Sequence, residues 1–331
     1  MCFAFDKLNG SLTSYCAGRD GLQAGCTVEG VGLEAFADKD ASTRFQPVLN
    51  LGTLLNLPDW SAAPRGSAVE VAQAIRAAGY QGVQGTDDPA YRQAGLVTYG
   101  AGRVVRAEEA QIVIGKNVDQ GHLATTLHVG TGFEDEREAL TLIEAVLEAS
   151  DRLRHPSFIE THRATITQDM WRTLRWVELC PAIRFNADFS HWYTGLEMAY
   201  GDFESKLDRL APVFERVGFI HGRIGNGGSM QVPIGIGGRD EPHTSRFLEM
   251  WRRCFSAFLK AGDEKAAIVF APELLPAVLP RPEGPLYMDY ALTRQTDEGG
   301  EEELSDRWDQ ALKLLALARS AFSESARAVP N

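Results

Sequence analysis

Residues 184–190 read Arg-Phe-Asn-Ala-Asp-Phe-Ser, and residues 218–223 read Gly-Phe-Ile-His-Gly-Arg. Each is a short apolar run with polar side chains at its end, and a helical pattern separates the two. Strands that alternate with helices are typical of βα units, which build parallel sheets. The same pattern extends in both directions and predicts eight strands. These are residues 47–52, 82–85, 96–99, 123–130, 157–162, 184–190, 218–223 and 267–271.

Helices are predicted between most strands, because apolar residues recur there with the i, i+3, i+4, i+7 spacing of an amphipathic helix. The clearest sets are Leu140, Ile143, Val146 and Leu147; Leu207, Leu210, Ala211, Phe214 and Val217; Phe247, Leu248, Trp251, Phe255 and Phe258; and Trp308, Leu312 and Leu315. Eight strands with about eight helices favour an α/β fold of the (β/α)8 TIM barrel type over an open doubly wound sheet. The glycine-rich stretch 225–238 lacks the G-x-G-x-x-G spacing of a dinucleotide site. We expect it to form a long loop after the seventh barrel strand.

The chain divides into three predicted parts. Residues 1–45 show no long periodic segment and form an N-terminal extension, which is compatible with an arm, a cap over the barrel mouth or an oligomer contact. Residues 46–322 form the barrel, and residues 323–331 form a C-terminal tail. The polar, acidic stretch 296–303 is predicted to be a loop before the last helix.

Composition excludes several classes of function. A formal charge of −12 without a basic stripe argues against nucleic acid as a partner. No apolar run reaches the roughly 18 residues of a membrane helix, and residues 1–6 lack the layout of a secretory signal. The five cysteines are odd in number and none are paired as C-x-x-C. We therefore expect a cytoplasmic protein without a membrane partner, for which a homo-oligomeric state is compatible with the sequence.

The last four predicted strands each end in a carboxylate or an imidazole: Glu160, Asp188, His221 and Glu273. The carboxyl ends of barrel strands share one face, where active sites lie. The separations of 28, 33 and 52 residues fit one βα unit of about 30 residues each, with the glycine-rich insertion in the last. Carboxylates brought together repel one another. We therefore predict that the four side chains hold one divalent metal ion, Mn²⁺, Mg²⁺, Co²⁺ or Zn²⁺.

The sequence around these side chains resembles the xylose isomerase-like TIM barrels of the sugar phosphate isomerase/epimerase superfamily. The resemblance covers about residues 46–322. It is carried by Glu160-Thr161-His162-Arg163, Asp188-Phe189-Ser190-His191-Trp192, His221-Gly222-Arg223-Ile224-Gly225, Met230-Gln231-Val232-Pro233, residues 78–84, and Glu273 followed by Gly284-Pro285-Leu286-Tyr287-Met288. It implies that Glu160, Asp188, His221 and Glu273 bind one metal ion. The chain departs from the family at residues 1–45, at Gln84, where many relatives have Glu, and in the longer glycine-rich insertion.

The resemblance also implies a small, sugar-like substrate, with His191 and Arg223 in contact with its oxygens. We predict an isomerase or epimerase that removes a proton beside the carbonyl of a hydroxy-carbonyl compound and passes through an enediolate. Glu160 and Glu273 are the candidate base and acid, and His191 a proton shuttle. A lyase or dehydratase acting on a keto-sugar or cyclitol is the alternative. An abasic-site endonuclease and a non-catalytic binding barrel are less favoured.

Further substrate contacts are predicted for Arg223, His162, His128 and Trp192. Each has a structural alternative. Arg223 could instead pair with a site carboxylate, and His162 could donate a hydrogen bond to Glu160. His128 could be structural, and Trp192, like Trp171 and Tyr193, could pack in the core instead of stacking on a sugar ring.

Overall fold

The computed structural model describes residues 2–6, 11–15, 44–235, 241–262, 266–297 and 299–329. Within the predicted extension, β1 (Cys2–Asp6) and β2 (Ser11–Tyr15) pair as an antiparallel hairpin. The remainder of the extension up to residue 43 lies outside the described residues, and so does its predicted role. In the part of the chain that is described, no helix is long and apolar enough to cross a membrane.

Eight parallel strands close into a barrel, as predicted. They are β3 (Phe45–Asn50), β4 (Gly82–Gln84), β5 (Val97–Val104), β6 (Thr125–Val129), β7 (Ser157–Glu160), β8 (Phe185–Ala187), β9 (Val217–His221) and β10 (Ile268–Ala271). The last strand closes the barrel by pairing with the first, with Ile268 opposite Phe45. Inside the cylinder, Tyr99 packs edge-on against Phe219, so the barrel has a filled core.

Helices surround the barrel, and two of them begin with a capping box that satisfies free backbone N–H groups: Ser67 with Glu70, and Asp135 with Glu138. The helices are α1 (Ala68–Ala77), α2 (Pro89–Gln93), α3 (Glu109–Asp119), α4 (Glu136–Leu153), α5 (Met170–Leu179), α6 (Ser190–Gly195), α7 (Phe203–Arg209), α8 (Ala211–Phe214), α9 (Pro242–Lys260) and α10 (Arg307–Ala328). A 3-10 turn, Leu51–Leu54, follows β3.

The single helix predicted over residues 207–217 is wrong. The chain instead forms α7 and α8, which break at Leu210, and Val217 already belongs to β9. Pro212 lies in the first turn of α8, where its missing N–H costs nothing. Within a continuous helix the same proline would remove a hydrogen bond and clash with the preceding turn.

The segment between β10 and α10 is folded. It contains two hairpins, formed by β11 (Val278–Leu279) with β12 (Leu286–Tyr287) and by β13 (Thr293–Gln295) with β14 (Glu301–Glu303). The loop predicted for residues 296–303 is therefore wrong at residues 301–303, which form the second strand of a hairpin. Helix α10 continues to Ala328, through most of the residues assigned to a tail.

Arg307, the first residue of α10, ties this segment to the barrel mouth. Its guanidinium is buried and pairs with Glu303 at 2.7 Å. It also donates to the carbonyl oxygens of Thr53 at 2.6 Å and Leu55 at 2.5 Å, which end the 3-10 turn after β3. Arg307 therefore connects the loop that follows the first barrel strand to the segment that follows the last one.

Candidate metal centre and active site

The four predicted ligands meet at the carboxyl ends of neighbouring strands. Glu160 and His221 are the last residues of β7 and β9, and Asp188 and Glu273 follow β8 and β10 closely. One ligand atom from each lies within 4.8 Å of the others. Glu160, Asp188 and His221 are buried, and the Glu273 side chain is 15% exposed. The side chains converge as the sequence predicted, and metal binding by them stays a prediction.

Two cationic side chains stand among these carboxylates. The Nδ1 atom of His221 lies 3.4 Å from Oε2 of Glu160 and 3.5 Å from Oε2 of Glu273. The Nη2 atom of Arg223 lies 3.0 Å from Oδ2 of Asp188 and also contacts Glu273. Arg223 therefore makes the ion pairs that were its structural alternative.

These contacts shift the pKa values in opposite directions. Burial opposes charge on His221, but the carboxylates of Glu273 and Glu160 outweigh it and raise the pKa of His221 to about 9. Burial likewise opposes ionisation of Glu160 and Asp188. Their pKa values are nevertheless lowered, because His221 faces Glu160 and Arg223 faces Asp188. Carboxylates that remain ionised can bind a cation.

Three amide side chains surround the ligands, and sequence reasoning did not place them there. The Nδ2 group of Asn50 donates to Glu273 at 2.9 Å and to Gln84 at 3.1 Å. The Gln84 oxygen lies 2.8 Å from Nε2 of His221, and Asn186 donates to Glu160 at 2.9 Å. Gln84 is the position where the family resemblance leads one to expect Glu. In this chain Gln84 supplies a neutral hydrogen-bonding group next to His221, one of the four candidate metal ligands.

Three histidines stack along one side of the centre. The ring centroids of His128 and His162 are 4.1 Å apart, and those of His162 and His191 are 3.8 Å apart. His128 reaches the site, with Nε2 3.3 Å from Oε1 of Glu160. The His162 ring instead contacts the carbonyl oxygen of Arg163 through Nδ1, and no hydrogen bond to Glu160 is seen among the described residues.

Burial makes two of these imidazoles weak bases. It lowers the pKa of His162 to about 4 and that of His191 to about 3, although nearby carboxylates oppose the shift. Both rings are therefore neutral near pH 7. His191 Nε2 lies 3.5 Å from Oδ2 of Asp188, and neither ring nitrogen has a hydrogen-bond partner within the described chain. The neutral ring is therefore open to a hydrogen bond with a ligand.

The prediction that Trp192 stacks on a substrate is wrong. Its ring has no exposed surface, packs against Phe189 in the core, and donates from Nε1 to the carbonyl oxygen of Thr167. Tyr193 is also buried, while Trp171 is 77% exposed. On helix α6, His191 lies beside Asp188, while the next two side chains, Trp192 and Tyr193, are buried in the core.

Sequence reasoning also missed Tyr290, which lies between β12 and β13. The guanidinium carbon of Arg223 is 4.6 Å from the centre of its ring, and that of Arg163 is 5.6 Å away. Its only signal was the position in a loop after the last barrel strand, where barrel enzymes place site residues.

The residues present fit a divalent cation. Three carboxylates and one imidazole form a donor set of the kind that binds Mg²⁺, Mn²⁺, Co²⁺ or Zn²⁺. The Oδ2 atom of Asp188 is buried and has an ion-pair contact with Arg223 but no aligned hydrogen bond among the described residues, so it keeps lone-pair capacity for a metal. His128 and His162 also bring ligand atoms within 4.8 Å of Glu160.

Comparisons with known proteins find similar folds only. No protein-family model and no curated protein matches the chain. A xylose isomerase-like TIM barrel protein from Mycobacterium smegmatis, solved in complex with magnesium, is 14% identical, with 86% of this chain and 99% of that chain covered and a TM-score of 0.49.

Two further solved structures are similar to this chain. The probable 3-DHS dehydratase AsbF from Bacillus anthracis is 12% identical, with 69% of this chain and 92% of that chain covered and a TM-score of 0.47. A D-tagatose 3-epimerase-like protein is 12% identical, with coverages of 69% and 91% and a TM-score of 0.45.

One of these neighbours is described as a xylose isomerase-like TIM barrel protein. With TM-scores below 0.5, the barrel fold rests instead on the strand pairing of this chain.

Proposed function

We propose that this protein is a divalent metal-dependent isomerase or epimerase that acts on a sugar-like hydroxy-carbonyl compound. One observation carries the proposal: Glu160, Asp188, His221 and Glu273, from four neighbouring strand ends, present ligand atoms within 4.8 Å of one another. The three carboxylates outnumber the two cationic side chains beside them, His221 and Arg223, so the protein alone does not fully offset their mutual repulsion.

The metal, when bound, would polarise the carbonyl group of the substrate and so acidify the neighbouring C–H group. Glu160 and Glu273 are the proposed base and acid. They come from different strands, and each brings an oxygen to within 3.5 Å of Nδ1 of His221, so a substrate held beside this histidine would meet both carboxylates. One takes the proton to give the enediolate, and the other returns a proton to a carbon atom.

The surrounding residues hold this pair in place. Asn186 donates to Oε2 of Glu160, and His128 contacts its Oε1, so both oxygens are oriented. Asn50 does the same for Oε1 of Glu273. His191 is the proposed group that orients a hydroxyl or passes a proton, because its ring is neutral and its nitrogens are not engaged.

The test is exchange of substrate C–H protons with deuterated water, measured by NMR over a panel of ketoses, their phosphates and inososes with added Mg²⁺, Mn²⁺, Co²⁺ or Zn²⁺. We expect metal-dependent exchange with at least one compound. Glu160→Gln and Glu273→Gln should each abolish it, while Glu144→Gln, an exposed glutamate on α4, should not.

Exchange that persists in both site variants would contradict the acid–base assignment. Loss of water from the substrate, detected as a change in mass, would assign the same site to a dehydratase. No exchange and no metal bound by the purified protein would leave a binding barrel as the better description.

A further inference from the structure

Arg223 has unused hydrogen-bonding capacity beside the proposed catalytic carboxylates. It is 1% exposed, and its Nη2 group is engaged by Asp188 and Glu273. Its Nε and Nη1 groups are buried without an acceptor among the described residues. Buried guanidinium donors are nearly always paired in folded proteins, because an unpaired one loses its hydration. These two groups therefore call for an acceptor that a ligand can supply.

A second guanidinium lies close by on the open side. Arg163 follows β7 in the loop that carries His162, and its side chain is exposed. Its Nη2 atom lies 3.4 Å from the hydroxyl of Tyr290, and no carboxylate within the described chain lies within 4.0 Å of it. Arg163 and Arg223 thus flank the same tyrosine ring.

A third arginine extends this positive region. Arg103, near the end of β5, lies opposite His128 in the strand register, and its Nη2 atom is 3.2 Å from Nδ1 of that ring. It too has no carboxylate partner among the described residues. Arg163 and Arg103 have no carboxylate partner in the described chain, and they lie beside the unpaired Nε and Nη1 groups of Arg223. In a protein of charge −12, this arrangement at one mouth indicates an anionic ligand.

We propose that Arg163 and Arg223 form an anion subsite, covered by Tyr290, and that the substrate is an acid that carries a carboxylate or a phosphate away from its carbonyl group. Guanidinium groups suit both anions, because their planar N–H groups can donate in pairs. The inference rests on the proposed function and narrows it from neutral sugars to acidic ones.

The test compares three compounds that differ only at C6: D-fructose, D-fructuronate and D-fructose 6-phosphate. Dissociation constants are measured by isothermal titration calorimetry on the Mg²⁺-supplemented protein. Charged hydrogen bonds of this kind predict that one of the anions binds at least about tenfold tighter than fructose. Whichever anion binds tighter identifies the group as carboxylate or phosphate.

Arg163→Ala should remove most of that preference, and Arg163→Lys should restore part of it. Arg137→Ala, which removes an exposed arginine from α4, makes the same change in net charge and should keep the preference intact. Equal binding of the three compounds, no binding of either anion, or an unchanged preference in Arg163→Ala would overturn the inference.

This measurement is independent of catalysis. Anion preference without proton exchange would contradict the isomerase or epimerase proposal and leave the subsite standing. Proton exchange on neutral ketoses without any preference for an anion would support the isomerase or epimerase proposal and overturn the anion subsite.

Discussion

Replacing Arg307 by Met should destabilise the fold far more than its single position suggests. The side chain is 1% exposed and serves Glu303 and the carbonyl oxygens of Thr53 and Leu55 with its shortest hydrogen bonds. Met fills similar space but donates nothing. A buried acceptor left unpaired costs about 1–3 kcal/mol, and a buried pair broken on one side costs about 3–5 kcal/mol. These costs overlap, so we expect the free energy of unfolding to fall by about 4 kcal/mol.

Arg252→Met is the matched control. Arg252 also lies on a helix and pairs with one glutamate, Glu324, at 3.0 Å, but the two side chains are 37% and 43% exposed. An exposed pair contributes about 0–1 kcal/mol. Urea unfolding followed by circular dichroism measures both variants. A loss below about 1 kcal/mol for Arg307→Met, or equal losses for the two, would refute the view that this guanidinium fixes the loops at the mouth.

A double variant separates the two causes. Glu303→Met combined with Arg307→Met removes the stranded carboxylate but leaves the carbonyl oxygens of the 3-10 turn unpaired. We expect it to recover part of the loss, because replacing both members of a buried pair costs less than removing one.

Three further predictions follow from buried polar groups. Tyr80→Phe should leave the unfolding free energy unchanged or raise it by up to about 1 kcal/mol, because the Tyr80 hydroxyl is buried without a partner in the described chain. Tyr193→Phe should lower the unfolding free energy by about 1–3 kcal/mol, because the Tyr193 hydroxyl accepts a hydrogen bond from Arg246. Equal losses of unfolding free energy in the two variants, measured by calorimetry, would contradict this difference. The melting temperature of the metal-free protein should fall as the pH falls from 6.5 to about 4. In this range His162 and His191 bind protons in the unfolded chain but not in the folded protein, where their pKa values are about 4 and 3. His162→Gln should make the melting temperature depend less on pH, and an unchanged dependence would contradict the lowered pKa of His162. Mg²⁺ at about a hundredfold excess over its dissociation constant should stabilise the wild type by about 2.7 kcal/mol. Asp188→Asn should lose this effect in a thermal shift assay, and equal stabilisation would exclude Asp188 as a ligand.

The sequence was informative about the barrel because each strand is short, apolar and followed by a helical pattern. A TIM barrel brings the carboxyl ends of its strands together, so a search for polar residues at strand ends, here called the strand-end rule, located the four candidate ligands. Pro212 shows the limit of periodicity: the apolar spacing continues through it, but the backbone cannot. Hairpin residues 296–303 show another limit, because their polar composition resembles that of a loop.

The amides Asn50 and Asn186 escaped prediction for a different reason. An amide at a strand end has no charge and no preferred partner, so only the folded register shows that it faces a carboxylate. Applying the strand-end rule to every strand, not only to carboxylates and imidazoles, would have selected Asn50 and Gln84. Tyr290 could not be found in this way, because two short hairpins determine where it lies.

The distribution of charge links these observations to the proposed chemistry. Glu160, Asp188 and Glu273 face Arg223 and a His221 whose pKa is raised to about 9, so one negative charge is uncompensated even when both are protonated. The groups added around them, including Asn50 and Gln84, are neutral amides that orient without cancelling charge. A divalent cation that displaced the His221 proton would bring the cluster to neutrality. The arrangement thus favours a doubly charged ion over a single proton, and it leaves the Nε and Nη1 groups of Arg223 as free donors for a substrate anion.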